Sequence, residues 1–137
     1  MKRILIVDSD PEVCRAIQKA LMVTPHVAFF AFDAVSAISE ARKCQPNLII
    51  VSFSLPAGNG LLVVERLRSL SGLKWTPIIM IAECEARLEA ERALAAGANA
   101  FLPKPLNHYL LLQYVDRLLP TEPQQNMWLD SVQSTAH

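Results

Sequence analysis

The sequence predicts a doubly wound α/β domain, a parallel sheet covered by helices on both faces. Three observations carry that prediction. Short apolar runs alternate with longer amphipathic segments along the chain, which is the rhythm of repeated βα units. The run Ile4-Leu5-Ile6-Val7 is wholly apolar, as a central parallel strand buried on both faces must be. The chain has 137 residues, the size of one domain, and its 52% hydrophobic content suffices for a well-filled core.

Each element follows from local signals. After the first strand, Pro11 sits where a helix tolerates a missing N–H, with Asp10 placed to cap it. Val13, Ile17, Ala20 and Leu21 then recur at helical spacing. Residues 27–32 read as the second strand and 34–43 as its helix. The third strand is 48–53, strongly apolar and rich in β-branched residues. Pro56-Ala57-Gly58-Asn59-Gly60 is a turn cluster, followed by a helix over 61–70 with Leu62, Val63, Leu67 and Leu70 among its apolar positions. Residues 78–81 form the fourth strand after Pro77. The segment 85–96 is rich in Ala, Glu and Arg, and Gly97 is suited to end that helix. Residues 98–102 make the fifth strand and 106–119 the last helix, stopped by Pro120. The expected organisation is one domain over 1–119 and a tail over 120–137. That tail, polar apart from Met127, Trp128, Leu129 and Val132, is either disordered or a short docking segment.

Composition narrows the function. Lys plus Arg and Asp plus Glu number 13 each, so no overall basic field exists to hold a nucleic-acid backbone. Cys14, Cys44 and Cys84 are scattered and odd in number, which points to buried thiols in a reducing compartment and not to a disulfide framework or zinc site. Lys2 and Arg3 precede an apolar run that Asp8 ends after four residues, too short for export or for a bilayer span. A cytoplasmic, soluble protein with no membrane partner is expected. Neither a GxGxxG nor a Walker pattern is present, and His26, His108 and His137 build no recognisable catalytic constellation.

In open α/β sheets, function collects at the carboxyl ends of the strands. Those ends here carry Asp8-Ser9-Asp10, Ser52, Ala82-Glu83 and Lys104. Carboxylates facing one lysine from a separate strand suggest a small phosphate and divalent-metal site. The pattern resembles the receiver domain of two-component response regulators over about residues 2–119. Four stretches carry the resemblance in the family's order: Ile4-Leu5-Ile6-Val7-Asp8; Pro46-Asn47-Leu48-Ile49-Ile50-Val51; Leu55-Pro56-Ala57-Gly58-Asn59-Gly60; and Ala95-Ala96-Gly97-Ala98-Asn99-Ala100-Phe101-Leu102-Pro103-Lys104-Pro105. The resemblance implies a flavodoxin-like three-layer sandwich of five strands, in the order 2-1-3-4-5, and five helices. It also implies a cis Lys104–Pro105 bond, the kind of bond for which cis is cheap.

The departures from the family matter more than the matches. The resemblance places Ser52 where the family has its phosphoacceptor Asp, and Ser9 where it has a metal-ligating acid. Ala82 falls where it has a Thr or Ser that bonds the phosphoryl group. A serine hydroxyl is protonated at neutral pH, is a poor ligand for magnesium, and needs a general base to act as a nucleophile. Asp8 and Lys104 alone keep the family's residues, so the pocket is expected to be degenerate, without catalysis and with weak magnesium binding or none. Asp10 and Glu83 are the acids available as substitutes, Asp10 with Asp8 for a metal. The plainer roles are a helix cap for Asp10 and a solvated loop position for Glu83. Lys104 is expected to bond Asp8 or Ser52 as a fixed structural contact.

The last helix offers a partner surface. Its inward stripe is Leu111, Val115 and Leu118, with Leu112 and Leu119 alongside, while Tyr109, Leu110 and Tyr114 widen the apolar band. An interaction patch and an ordinary amphipathic helix with tyrosines lying flat both fit. Phe101 stands at the family's aromatic switch position. The expected function is phosphorylation-independent signalling through protein contacts with a histidine kinase, an output protein or a second copy of the chain. The alternatives are a receiver phosphorylated with the help of Asp10 or Glu83, and a small-ligand-binding α/β domain.

Overall fold

A computed structural model describes residues 1–83 and 87–119 of the chain. The elements run β1 (Arg3–Val7), α1 (Pro11–Leu21), β2 (Val27–Ala31), α2 (Ala34–Cys44) and β3 (Leu48–Ser52). A two-residue antiparallel pair follows, β4 (Ser54–Leu55) and β5 (Gly58–Asn59), and then α3 (Gly60–Arg68). The chain closes with β6 (Ile78–Ala82), α4 (Arg87–Ala96), β7 (Ala100–Pro103) and α5 (His108–Leu118). Five strands make one parallel sheet in the order β2-β1-β3-β6-β7. With the small β4–β5 pair set aside, this is the 2-1-3-4-5 order expected of the flavodoxin-like sandwich.

The strand residues alternate between two cores because successive side chains point to opposite faces. Leu5, Val7, Ile49, Val51, Ile78 and Met80 belong to the core shared with α2 and α3. Ile4, Ile6, Leu48, Ile50, Ile79 and Ile81 belong to the core shared with α1 and α5. Both faces of the central strands are therefore sealed, which accounts for runs with no polar alternation.

Caps set the helix starts. The side chains of Asp10, Asn59 and Asn107 accept from the backbone N–H of Glu12, Leu62 and Leu110, and Asp33 accepts from Ser36. Residues 98–99 bind back to the preceding helix and to β6 instead of starting the last strand early: the Ala98 N–H donates to Ala93 O and the Asn99 N–H to Ile78 O. The third helix starts at Gly60 and stops at Arg68, not at Leu70, because the Arg68 guanidinium ties its end to the loops. It donates to the carbonyls of Thr76 at 2.6 Å and Gly97 at 2.7 Å. On α1, Cys14, Ile17 and Leu21 are the buried residues, while Val13 and Ala20 are half-buried. On α5, Leu111, Val115 and Leu119 are buried, and Leu118 is only half-buried. Cys84, the first residues of the predicted fourth helix, His137 and the tail over 120–137 lie outside the described residues.

Gly60 is required by a close approach. A Cβ there would stand 2.2 Å from the carbonyl oxygen of Ser52 and 3.0 Å from Phe53 Cα, both backbone atoms. The Gly60 N–H also donates to Phe53 O at 2.8 Å, so α3 is seated directly on the end of β3. Gly60→Ala is expected to lower stability by about 3 kcal/mol, because the clash can be relieved only by moving backbone. Urea unfolding of the variant beside the wild type measures it.

Candidate functional site

The carboxyl ends of β1, β3, β6 and β7 lie side by side at one end of the sheet and bring Asp8, Ser52, Ala82 and Lys104 to a common site. Asp8 follows β1 directly, and its N–H donates to Ala31 O at 3.1 Å, which carries the strand ladder one residue past β1. The residue is 2% exposed. Its Oδ1 accepts from the Asp10 N–H at 2.9 Å and closes the turn into α1. Its Oδ2 faces Lys104 Nζ at 2.9 Å. That approach is an ion pair without hydrogen-bond alignment, since Oδ2 is buried with no aligned donor.

Lys104 follows β7, anchored by its N–H to Ala82 O at 2.6 Å, and the Lys104–Pro105 bond is cis. Of the two partners expected for its ammonium, Asp8 is the one it meets. A second carboxylate, Glu83, lies 3.4 Å away, but its side chain is 77% exposed, so solvent screens that contact. Burial pulls the Lys104 pKa down. The close Asp8 carboxylate, with a smaller part from Glu83, outweighs burial and leaves the pKa above its ordinary value.

Ser52 ends β3, 2% exposed, opposite Ile81 of β6. Ala82 ends β6, 3% exposed, and presents only a methyl group. Ser9 and Asp10 are exposed, and Asp10 Oδ1 is committed to the Glu12 N–H at 2.9 Å as the cap of α1. Phe101 lies in β7 opposite Met80 and packs, half-buried, on the core beneath α2 and α3. On α5, Tyr109 is 71% exposed and Leu110 is 36% exposed. Tyr114 is half-buried against the other core, with the Arg117 guanidinium 5.6 Å from its ring centre. The tyrosine pair is thus split between one outward residue and one lying flat.

Cys14 is a buried thiol, as expected from the sequence, but its place beside Asp8 was not read there. Its Sγ lies 3.5 Å from the Asp8 carbonyl oxygen, beneath the pocket. Burial, and then the charges of Asp8 and Asp10, push its thiol pKa up to about 11, so it packs as an inert apolar group. The signal was the helical spacing of Cys14, Ile17 and Leu21.

The family model of the response regulator receiver domain matches residues 4–116. The chain belongs to that family. Response regulator MprA of Mycobacterium ulcerans is 30% identical over 134 residues, which cover 97% of this chain and 57% of MprA. Response regulator PleD of Caulobacter vibrioides is 26% identical over 116 residues, 85% of this chain and 26% of PleD. The chain thus spans about half or less of these relatives' length. Among solved structures, a putative response regulator from Chloroflexus aurantiacus superposes with a TM-score of 0.83 at 26% identity, covering 86% of this chain and 97% of the other. Chemotaxis response regulator CheY4 of Vibrio cholerae gives 0.81 at 28% identity, covering 87% and 99%. This receiver is a signalling domain of two-component systems. Among the described residues no helix is long and apolar enough to cross a membrane.

The donor set of the pocket does not fit the magnesium ion that the family implies. Hard divalent cations need several oxygen ligands with carboxylate charge among them. Among the described residues no three His, Cys, Asp or Glu side chains gather into a metal-binding group. Among the described residues Asp8 is the one buried carboxylate, and Lys104 stands 2.9 Å from it.

Two outcomes follow from the ion pair. Lys104→Met strands a buried carboxylate and is expected to cost about 3 kcal/mol, whereas adding Asp8→Asn recovers much of the loss. Denaturant unfolding of the two single variants and the double variant closes that cycle. Because the folded pKa of Lys104 is raised, its contribution is fully present below the unfolded lysine value. It disappears as pH rises through the higher folded value. Unfolding followed from neutral to strongly alkaline pH therefore shows an alkaline loss in the wild type that the double variant lacks.

Proposed function

We propose that this receiver domain signals through protein contacts and takes no phosphoryl group. The observation that carries the reading is the Asp8–Lys104 ion pair at 2.9 Å, closed inside a pocket whose other positions are Ser9, Ser52 and Ala82. On the family's pattern, Ser52 stands for the phosphoacceptor Asp, Ser9 for a metal-ligating acid and Ala82 for the hydroxyl residue. A working pocket needs an ionised nucleophile, a metal to neutralise the incoming phosphoryl oxygens, and a lysine free to bond the product. Here the nucleophile is a protonated hydroxyl, the metal donors are reduced to one carboxylate, and the lysine is engaged.

The substitutes weighed from the sequence have other engagements. Asp10 caps α1, and Glu83 reaches Lys104 from a largely exposed position. Neither replaces the missing acid in this reading. The unit that signals in this reading is the domain over 1–119. Its partners are a histidine kinase, an output protein or a second copy. They meet the face of α4, β7 and α5, where Tyr109 and Leu110 supply exposed apolar surface. Phe101 has no hydroxyl at Ala82 to report on and stays in one packed state.

Incubation with magnesium and acetyl phosphate, and separately with beryllofluoride, tests the reading by intact mass and by the strand-end amide signals. No adduct and unchanged amides are expected. A magnesium-dependent adduct overturns it. The converse variant, Ser9→Asp with Ser52→Asp and Ala82→Thr, is expected to gain magnesium-dependent labelling that Ser52→Asp alone largely lacks. Failure of the triple variant to gain it, while still folded, counts against treating these three positions as the losses.

A further inference from the structure

α2 and α3 pack side by side over the core of Leu5, Val7, Ile49 and Val51. A groove of about 270 Å³ runs between them, away from the strand-end pocket. Ala34 and Val63 are its buried floor, with half-buried Ile38 beside them. Its rims are apolar where outward helix positions are ordinarily polar: Val35 on α2 is 67% exposed and Leu62 on α3 is 50% exposed. The β4–β5 turn closes one end, held there by the Ala34 N–H donating to Pro56 O at 3.0 Å.

The other end carries Arg42 and Arg66, two turns beyond Val35 and one beyond Leu62. Both are exposed, neither guanidinium has an ion pair or hydrogen bond with a described residue, and no acidic side chain lines the groove among the described residues. Two like charges without a counter-ion at the end of an apolar channel call for an anion, and guanidinium favours carboxylate in a paired geometry. The volume is below the range of roughly 300–1,000 Å³ typical of small-molecule pockets, so the groove suits the side chains of a partner. Apolar anchors followed by charge along a helix–helix groove match the helix-in-groove mode of recognition.

We infer that the α2–α3 groove docks an acidic amphipathic helix of a partner protein, its apolar residues against Val35, Ile38 and Leu62 and its carboxylates on Arg42 and Arg66. This second contact surface stands whether or not the strand-end pocket takes phosphate.

The probe is a synthetic helical peptide with leucines one turn apart and glutamates one and two turns further along the same face, titrated into the ¹⁵N-labelled full chain. Saturable shifts confined to α2 and α3 are expected. Arg42→Glu combined with Arg66→Glu, both at exposed positions, should weaken binding by roughly tenfold, and replacing the peptide's glutamates by glutamine should do the same. Absence of saturable shifts, shifts centred elsewhere, or equal binding of the glutamine peptide overturns the inference. Decanoate seated in the groove where the peptide fails to bind also overturns it and makes the site a fatty-acid cleft.

Discussion

Burying a carboxylate at the end of a sealed parallel sheet is costly unless a positive partner stands close by, and Lys104 is that partner for Asp8. The pair joins β1 to β7 across the ends of β3 and β6, so its 2.9 Å contact depends on the strand order and on the register of every strand between. The cost of burying two charges is offset by their proximity, by the Asp10 N–H on Oδ1 and by partial solvation of the lysine. The pocket around them is apolar or weakly polar, with Ala82 a methyl group, Ser52 a single hydroxyl and Cys14 an inert thiol below. In the proposed reading, this contact is a fixed brace across the strand ends.

The fold was legible because its logic is one of burial. Runs such as Ile4 to Val7 and Ile78 to Ile81 have to be covered on both faces, and the amphipathic segments between them supply the cover. The order of the strands came with the family resemblance, not from periodicity. Element ends were less legible because they depend on contacts distant in sequence. The third helix stops at Arg68, whose guanidinium is tied to the Thr76 and Gly97 carbonyls, and the last strand begins late because Asn99 is bound to Ile78. The β4–β5 pair was invisible as strands, since two residues carry no period and the turn cluster masked it.

At the site, residue types were legible and their engagements were only partly so. The pairing of Lys104 with Asp8 and the capping role of Asp10 follow from which charges stand at strand and helix ends. The packing of Tyr114 against the core, with Tyr109 left outward, depends on the rotation of α5 about its axis, which a wide apolar band leaves undetermined. The α2–α3 groove was not legible either, since Leu62 reads as an ordinary apolar helix position and the exposure of Val35 and Leu62 depends on how the two helices pack.

In the proposed reading, Lys104 supplies to Asp8 the charge balance that a metal ion would otherwise supply. Titration of magnesium into the ¹⁵N-labelled chain, followed at the amides of Asp8, Ser9, Ser52 and Lys104, tests it most directly. The account predicts no saturable shift at these residues in the wild type, and a saturable one once Ser9→Asp and Ser52→Asp are introduced together. A saturable shift centred on Asp8 in the wild type would contradict it.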